Sequence, residues 1–113
     1  MITILHNPRC SKSRAGVALL EEKGVEFEIC KYLDDVLTPD ELTDILEKLG
    51  KRPLDIIRKN EEVYKTEFAD KELTDEEWVL TMLEHPRLME RPIVINGDKA
   101  VVGRPTEAIE EIL

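Results

Sequence analysis

Long apolar runs and aromatic residues are both scarce in this chain. Aromatic side chains make up 4% of its 113 residues. The longest apolar stretches span only a few residues, whereas a membrane helix needs about 20. The first residues, Met1 to Leu5, show neither a basic leader nor a small-residue cleavage site. The sequence therefore predicts a cytoplasmic protein that does not cross a membrane.

Positive charge is also in short supply. The chain has 16 Lys and Arg residues against 25 Asp and Glu, which gives a formal net charge of −9. Nucleic-acid binding requires Lys and Arg gathered on one face, so this balance argues against a nucleic-acid partner. The same charge repels an anionic substrate at long range, so such a substrate would need cations concentrated around its binding site.

Cysteine and histidine each occur twice, as Cys10, Cys30, His6 and His85. Two cysteines are too few for a disulfide scaffold, and a cysteine in a reducing cytosol is more often buried, metal-bound or catalytic. The four side chains lack the paired spacing of a zinc site, so no bound metal is expected.

The rest of the composition favours a folded protein. Hydrophobic residues make up 42% and charged residues 36% of the chain. The length suits one hydrophobic core, and the sequence contains no repeat, linker or low-complexity segment. We therefore expect one domain over residues 1–113.

Apolar periodicity and turn residues predict an alternation of strands and helices. The predicted elements, in order, are a strand at 2–5, a helix from Ser11 or Ser13 to Gly24, a strand at 25–29, helix starts at Thr38, Pro53 and Thr74, strands at 93–95 and 99–102 around an Asn96-Gly97-Asp98 turn, and a closing helix at 107–113. This order predicts a thioredoxin-like α/β fold. It has a four-stranded mixed sheet, with a helical insertion between a βαβ start and a ββα end.

Cys10 follows the first strand and precedes the first helix. Backbone N–H groups and the positive end of the helix dipole would lie near its sulfur there, which lowers a thiol pKa. Arg9, Lys12 and Arg14 add positive charge, and Ser11 and Ser13 add hydroxyl donors. The alternative is a buried cysteine that packs like a small hydrophobe.

The other cysteine and the two histidines allow several interpretations. Cys30 is a resolving thiol for Cys10 or, as we favour, a core side chain. His6 is a base for Cys10, a donor that organises the loop, or a plain residue at a strand end. His85 precedes a proline at a helix end and fits a capping role.

Three arginines lie where predicted elements begin or end: Arg58, Arg91 and Arg104. The loop before the third strand and the loop after the first strand meet in a thioredoxin-like sheet, so Arg91 could reach Cys10. Each arginine taken alone fits a solvated surface residue, and the case for a site depends on their convergence.

Four blocks of sequence resemble the glutaredoxin-coupled arsenate reductase family, and most closely its shorter bacterial branch. In order they are His6-Asn7-Pro8-Arg9-Cys10-Ser11-Lys12-Ser13-Arg14, Leu54-Asp55-Ile56-Ile57-Arg58-Lys59-Asn60, Glu90-Arg91-Pro92-Ile93-Val94-Ile95 and Val102-Gly103-Arg104-Pro105-Thr106-Glu107. Their order and spacing cover essentially the whole chain.

The resemblance implies a role for each matching residue. Cys10 matches the family's nucleophile, His6 a histidine that helps to activate it, and Ser13 a serine near the sulfur. Arg58, Arg91 and Arg104 match three arginines of an anion site, and Pro92 matches a proline after a cis peptide bond. The chemistry agrees, because guanidinium groups offset the repulsion between a thiolate and an oxyanion better than lysines do.

The resemblance also implies a reaction and its partners. Cys10 would attack arsenate to form a covalent thiol–arsenate adduct, glutathione would attack the adduct, and glutaredoxin would resolve the mixed disulfide as arsenite leaves. Glutathione is then a co-substrate, and no tightly bound cofactor is expected.

Two other functions fit the same fold. Spx-type regulators bind RNA polymerase and commonly carry a Cys-x-x-Cys switch in the first loop, where this chain has Cys10-Ser11-Lys12-Ser13. A glutathione-dependent thiol reductase acting on protein mixed disulfides would need Cys10 but not all three arginines.

Overall fold

The computed structural model describes residues 2–113 and contains one mixed four-stranded sheet. Its elements, in chain order, are β1 (Ile2–Leu5), α1 (Ser11–Glu22), β2 (Phe27–Cys30), α2 (Pro39–Leu49), a 3₁₀ helix (Pro53–Ile56), a π-helical turn (Tyr64–Phe68), α3 (Asp75–Glu84), a 3₁₀ turn (Pro86–Leu88), β3 (Ile93–Asn96), β4 (Lys99–Val102) and a closing 3₁₀ helix (Thr106–Ile112). This architecture confirms the predicted α/β, thioredoxin-like fold class.

The chain divides into two compact units. Residues up to Asp35 together with Arg91–Leu113 form the sheet unit, and Val36–Glu90 form the helical unit. The helical unit corresponds to the insertion expected between the βαβ start and the ββα end. The assignment of residues 1–113 to one domain stays a prediction.

The strand order in the sheet unit is β2-β1-β3-β4. β1 runs parallel to β2, with Leu5 opposite Cys30, and antiparallel to β3, with Leu5 opposite Ile93. β3 and β4 form a hairpin in which Ile93 lies opposite Val102. Because of these directions, the ends of β1, β2 and β4 and the start of β3 share one edge of the sheet.

The core of the sheet unit explains why these segments fold together. Its buried cluster contains Ile2, Ile4, Leu20, Val94 and Ile109, which come from two strands, α1 and the closing helix. Burying large apolar side chains contributes about 1.5–3 kcal/mol each. The apolar alternation of the strands and one face of α1 therefore point to a common core.

The helical unit is organised by two capped helices. Thr38 and Thr74 each accept a hydrogen bond from the backbone of the Glu three residues later, and that Glu accepts one in return. Such capping boxes define helix starts. Both helices therefore start at the residues that the sequence predicted, Thr38 and Thr74.

The main differences from the sequence prediction concern three elements. β2 begins at Phe27, which lies opposite Ile2 of β1, rather than at residue 25. The closing helix is 3₁₀ rather than α. A π-helical turn at Tyr64–Phe68 was not predicted, and aromatic contacts of Tyr64 and Phe68 with Trp78 hold it against α3.

The loop that brings Arg91 to the sheet depends on a tight contact at Gly103. A Cβ atom at this position would lie 2.9 Å from Pro92 Cγ and 3.1 Å from Ile109 Cδ1. Both neighbours are buried, so they have little room to move away. Only a glycine lets the chain that follows β4 pass this close to Pro92.

Replacement of Gly103 by Ala is expected to destabilise the protein by about 1–3 kcal/mol, as overpacking of a core commonly does. Urea unfolding followed by circular dichroism measures this free energy. Lys99→Ala, at an exposed position of β4, the strand that Gly103 follows, is the control and should change it by less than about 0.5 kcal/mol. Equal stabilities of wild type and Gly103→Ala would contradict the packing argument.

Candidate functional site

The loop between β1 and α1 places Cys10 at the start of the helix. Cys10 is the residue that caps α1 at its N-terminus, in an extended conformation. Its N–H donates to Asn7 O at 3.0 Å, and its carbonyl accepts the N–H of Arg14 at 3.0 Å. The half-buried sulfur therefore lies beside the first N–H groups of the helix, where negative charge is stabilised.

Hydrogen bonds and positive charge shift the titration of the Cys10 thiol. Partial burial raises its pKa, but the N–H of Ser13, the guanidinium of Arg91 and the N–H of Lys12 lower it, and the net result is a pKa of about 7 against an ordinary 9.0. A large fraction of Cys10 is therefore thiolate at neutral pH, which is the reactive form of the side chain.

Arg91 and Arg104 reach Cys10 from the same edge of the sheet. Arg104 Nη2 lies 3.6 Å from Cys10 Sγ, and Arg104 Nε donates to the carbonyl oxygen of Arg91 at 2.8 Å. The peptide bonds Arg91-Pro92 and Arg104-Pro105 are both cis, the first as the resemblance implies. The structure thus brings two of the three predicted arginines to the thiol.

His6 and Ser13 form a buried polar pair beneath the loop. His6 Nδ1 lies 2.6 Å from Ser13 Oγ, and this hydroxyl accepts the N–H of Asn7 at 2.9 Å. Burial, then the charges of Lys31 and Arg14, lower the pKa of His6, which favours the neutral form of its ring. Since Ser13 N–H bonds the sulfur, His6 would act on Cys10 through Ser13. Its predicted role in activating the thiol stays a prediction.

Asn7 is a residue of this site that the sequence reasoning missed. It is buried, and its side-chain Oδ1 accepts the N–H of Arg9 at 3.0 Å. Its backbone N–H donates to Ser13 Oγ, and its backbone carbonyl accepts the N–H of Cys10. The Asn-Pro pair, which is typical of turns, was the available signal. Asn7 therefore shapes the loop that carries Cys10.

The third predicted arginine, Arg58, belongs to the helical unit. Its Nη1 donates to Glu61 at 3.0 Å in an ion pair whose two side chains are largely buried. Its backbone N–H donates to Leu88 O, beside a short bridge between Ile57 and Met89. Its membership of an anion site with Cys10 stays a prediction.

The remaining cysteine and histidine lie in different surroundings. Cys30 is half-buried at the end of β2, no disulfide joins it to Cys10, and its carbonyl accepts the N–H of His6 at 2.9 Å. His85 ends α3, as predicted, and its ring lies 5.6 Å from that of Phe68.

Among residues 2–113, no cluster of three His, Cys, Asp or Glu side chains is arranged to hold a metal ion. Over the same range, no helix is both long and apolar enough to span a membrane. The site therefore offers a thiolate, N–H donors and two guanidinium groups, a set suited to nucleophilic attack on an oxyanion.

Known proteins similar to this chain include arsenate reductases. A model of the ArsC family matches residues 5–112. An arsenate reductase from Neisseria meningitidis serogroup A is 46% identical over 114 residues, which cover 99% of this chain and 97% of that protein. One from Escherichia coli K12 is 37% identical and covers 99% of this chain and 80% of that protein. The solved structure of an arsenate reductase from Vibrio cholerae superimposes with a TM-score of 0.93 at 41% identity, covering 99% and 97% of the two chains.

Removal of the Arg91 charge is expected to raise the pKa of Cys10 from its value of about 7, because the thiolate loses a hydrogen bond and a favourable charge. Ultraviolet titration of the thiolate in Arg91→Ala measures this. Arg9→Ala, which removes an exposed cation adjacent in sequence, is the matched control and should shift the pKa less. A wild-type pKa at or above about 8.5, the reference for a free thiol, would contradict the activation of Cys10.

Proposed function

The chain belongs to the ArsC family, and on this premise we propose that it is an arsenate reductase with Cys10 as its nucleophile. The observation that carries the proposal is the arrangement at the sulfur. A thiol with a pKa of about 7 lies 3.6 Å from Arg104 Nη2 and bonds the guanidinium of Arg91. Arsenate, an oxyanion with several acceptor oxygens, matches these donors.

In the first step the Cys10 thiolate attacks arsenic and forms an S–As bond. One arsenate oxygen takes up protons and leaves as water, and arsenic stays in its pentavalent state. Arg91 and Arg104 would hold the remaining oxygens and offset the repulsion between thiolate and oxyanion. Arg58 is proposed as the third cation of this anion site.

The second step reduces arsenic with an external thiol. Glutathione attacks the adduct, the two sulfurs join as a Cys10–glutathione mixed disulfide, and the electron pair from the two thiols remains on arsenic, which leaves as arsenite. Glutaredoxin then accepts the glutathione moiety by thiol–disulfide exchange and regenerates Cys10. We place the reaction in the cytoplasm, where glutathione keeps thiols reduced, and it uses no tightly bound cofactor.

The charge around Cys10 favours an oxyanion reductase over the two alternative functions. A thiol reductase acting on protein disulfides needs an activated Cys10, but it has no need for guanidinium groups next to the sulfur. A regulator with a Cys-x-x-Cys switch needs a second thiol where this chain has Ser13, whose hydroxyl is bonded to His6 and Asn7.

A coupled assay tests the proposal directly. Arsenate, glutathione, glutaredoxin, glutathione reductase and NADPH are mixed with the protein, and NADPH oxidation reports turnover. We expect turnover with wild type and none with Cys10→Ser. Cys30→Ser is the matched control and should retain activity if glutathione supplies the second thiol. Absence of turnover with wild type would contradict the proposed activity, and loss with Cys30→Ser would identify Cys30 as the resolving thiol.

Substitution of the arginines is expected to impair the reaction with arsenate much more than the reactivity of the Cys10 thiol. Arg104→Ala and Arg58→Ala should each lower kcat/KM for arsenate by about 10²–10³-fold, as removal of a charge-stabilising donor does. The rate of Cys10 alkylation by neutral iodoacetamide should change far less. Arg87→Ala, at an exposed position, is the control. Small and equal effects on both reactions would argue for the thiol reductase instead.

A further inference from the structure

One edge of the sheet carries a row of positively charged residues. Lys31 follows the end of β2, Arg91 precedes β3, and Arg104 follows β4. In the strand order β2-β1-β3-β4, the loop that carries Cys10 leaves the same edge from the end of β1. Lys31 therefore lies on one side of this loop, and Arg91 and Arg104 lie on the other.

Arg14 joins Lys31 near His6. The backbone of His6 donates to Cys30 O at 2.9 Å, which fixes the start of the loop beside the residue that precedes Lys31. Arg14 Nη1 donates to Pro8 O at 2.8 Å, so its guanidinium lies over the same loop. The charges of both Lys31 and Arg14 act on the His6 ring. Two cations from different elements thus lie close enough to His6 to act on its ring.

These two cations are not the ones assigned to arsenate. The guanidinium groups of Arg91 and Arg104 contact the Cys10 sulfur, where an arsenate under attack must lie. Lys31 follows β2, which lies next to β1 in the sheet at a spacing of about 4.8 Å. A ligand that binds Lys31 while reacting at Cys10 must therefore carry its negative charge at some distance from its reactive atom.

Glutathione has this construction, because its two carboxylates are separated from its sulfur by flexible spacers. We propose that Lys31 and Arg14 form a second anion subsite that binds a carboxylate of glutathione and directs its sulfur to Cys10. This inference rests on the proposed function for the identity of the thiol. A guanidinium has five N–H donors, so the bond to Pro8 leaves others for a carboxylate.

The nearby acidic residues limit the strength of this subsite. The N–H groups of Asp34 and Asp35 both donate to Lys31 O in a turn, and both side chains are exposed. Their charges reduce the attraction that Lys31 exerts at long range. The subsite is therefore expected to raise the rate with glutathione only modestly. An assay must be able to detect a change of this size in the rate.

Thiol–disulfide exchange isolates the subsite from arsenate chemistry. The Cys10 thiolate attacks oxidised glutathione, forms the Cys10–glutathione mixed disulfide and releases one glutathione thiolate, which is a balanced exchange without net oxidation. Hydroxyethyl disulfide undergoes the same exchange but carries no carboxylate. The ratio of the two second-order rate constants then reports recognition of the carboxylate rather than reactivity of the thiol.

We expect Lys31→Glu and Arg14→Ala to lower the rate with oxidised glutathione by about two- to fivefold, the upper part of the range of exposed ion pairs. The rate with hydroxyethyl disulfide should stay within about twofold of wild type on the same grounds. Lys31→Arg should restore the glutathione rate. Lys99→Glu is the matched control, because it reverses an exposed charge on the hairpin at the opposite edge of the same sheet.

Each other outcome has a definite meaning. Equal losses with both disulfides would overturn the subsite and assign Lys31 and Arg14 to the reactivity of Cys10. Unchanged rates, or no reaction of wild type with oxidised glutathione, would also overturn it. Failure of arsenate turnover in the coupled assay would refute the proposed activity alone, since the exchange reaction contains no arsenate.

Discussion

The site depends on keeping Cys10 ionised near neutral pH. The chain stabilises this negative charge although its own net charge is −9. Charge at Cys10 is stabilised by two backbone N–H groups of α1 and by Arg91, which together outweigh the effect of burial. The N–H groups come from the helix itself and are always present. The guanidinium comes from a loop far away in sequence, so it needs the sheet to bring it near.

The directions of the strands in the sheet bring the loop that carries Arg91 next to the loop that carries Cys10. β1 and β2 end, β3 begins and β4 ends at one edge, because β1 pairs in parallel with β2 and antiparallel with β3. Loops at that edge bring Arg91 and Arg104 to the Cys10 sulfur. An acidic protein can in this way concentrate positive charge locally, and Gly103 permits the close packing that holds Pro92, and with it Arg91, in place.

Much of the fold could be predicted from local patterns. The four strands, the three α-helices and the capping boxes follow from apolar periodicity and from short-range hydrogen bonds between neighbours in sequence. The errors arose where distant partners decide the structure. The π-helical turn at Tyr64–Phe68 depends on the contacts of its aromatic side chains with Trp78. The 3₁₀ form of the closing helix likewise left no clear signal in its sequence.

By itself, the sequence determined which residues are candidates for the chemistry. Cys10 between a strand and a helix, basic neighbours and three arginines at element ends are all readable in the linear chain, because they reflect local structure and residue type. Only the tertiary structure decided which groups meet. It joined Arg104 to the sulfur and to Arg91, coupled His6 to Ser13 and gave Asn7 a role in shaping the loop. The physical reason is that hydrogen bonds and charge interactions act over a few ångströms in space, and positions far apart in the chain reach that range only when strand pairing brings them together.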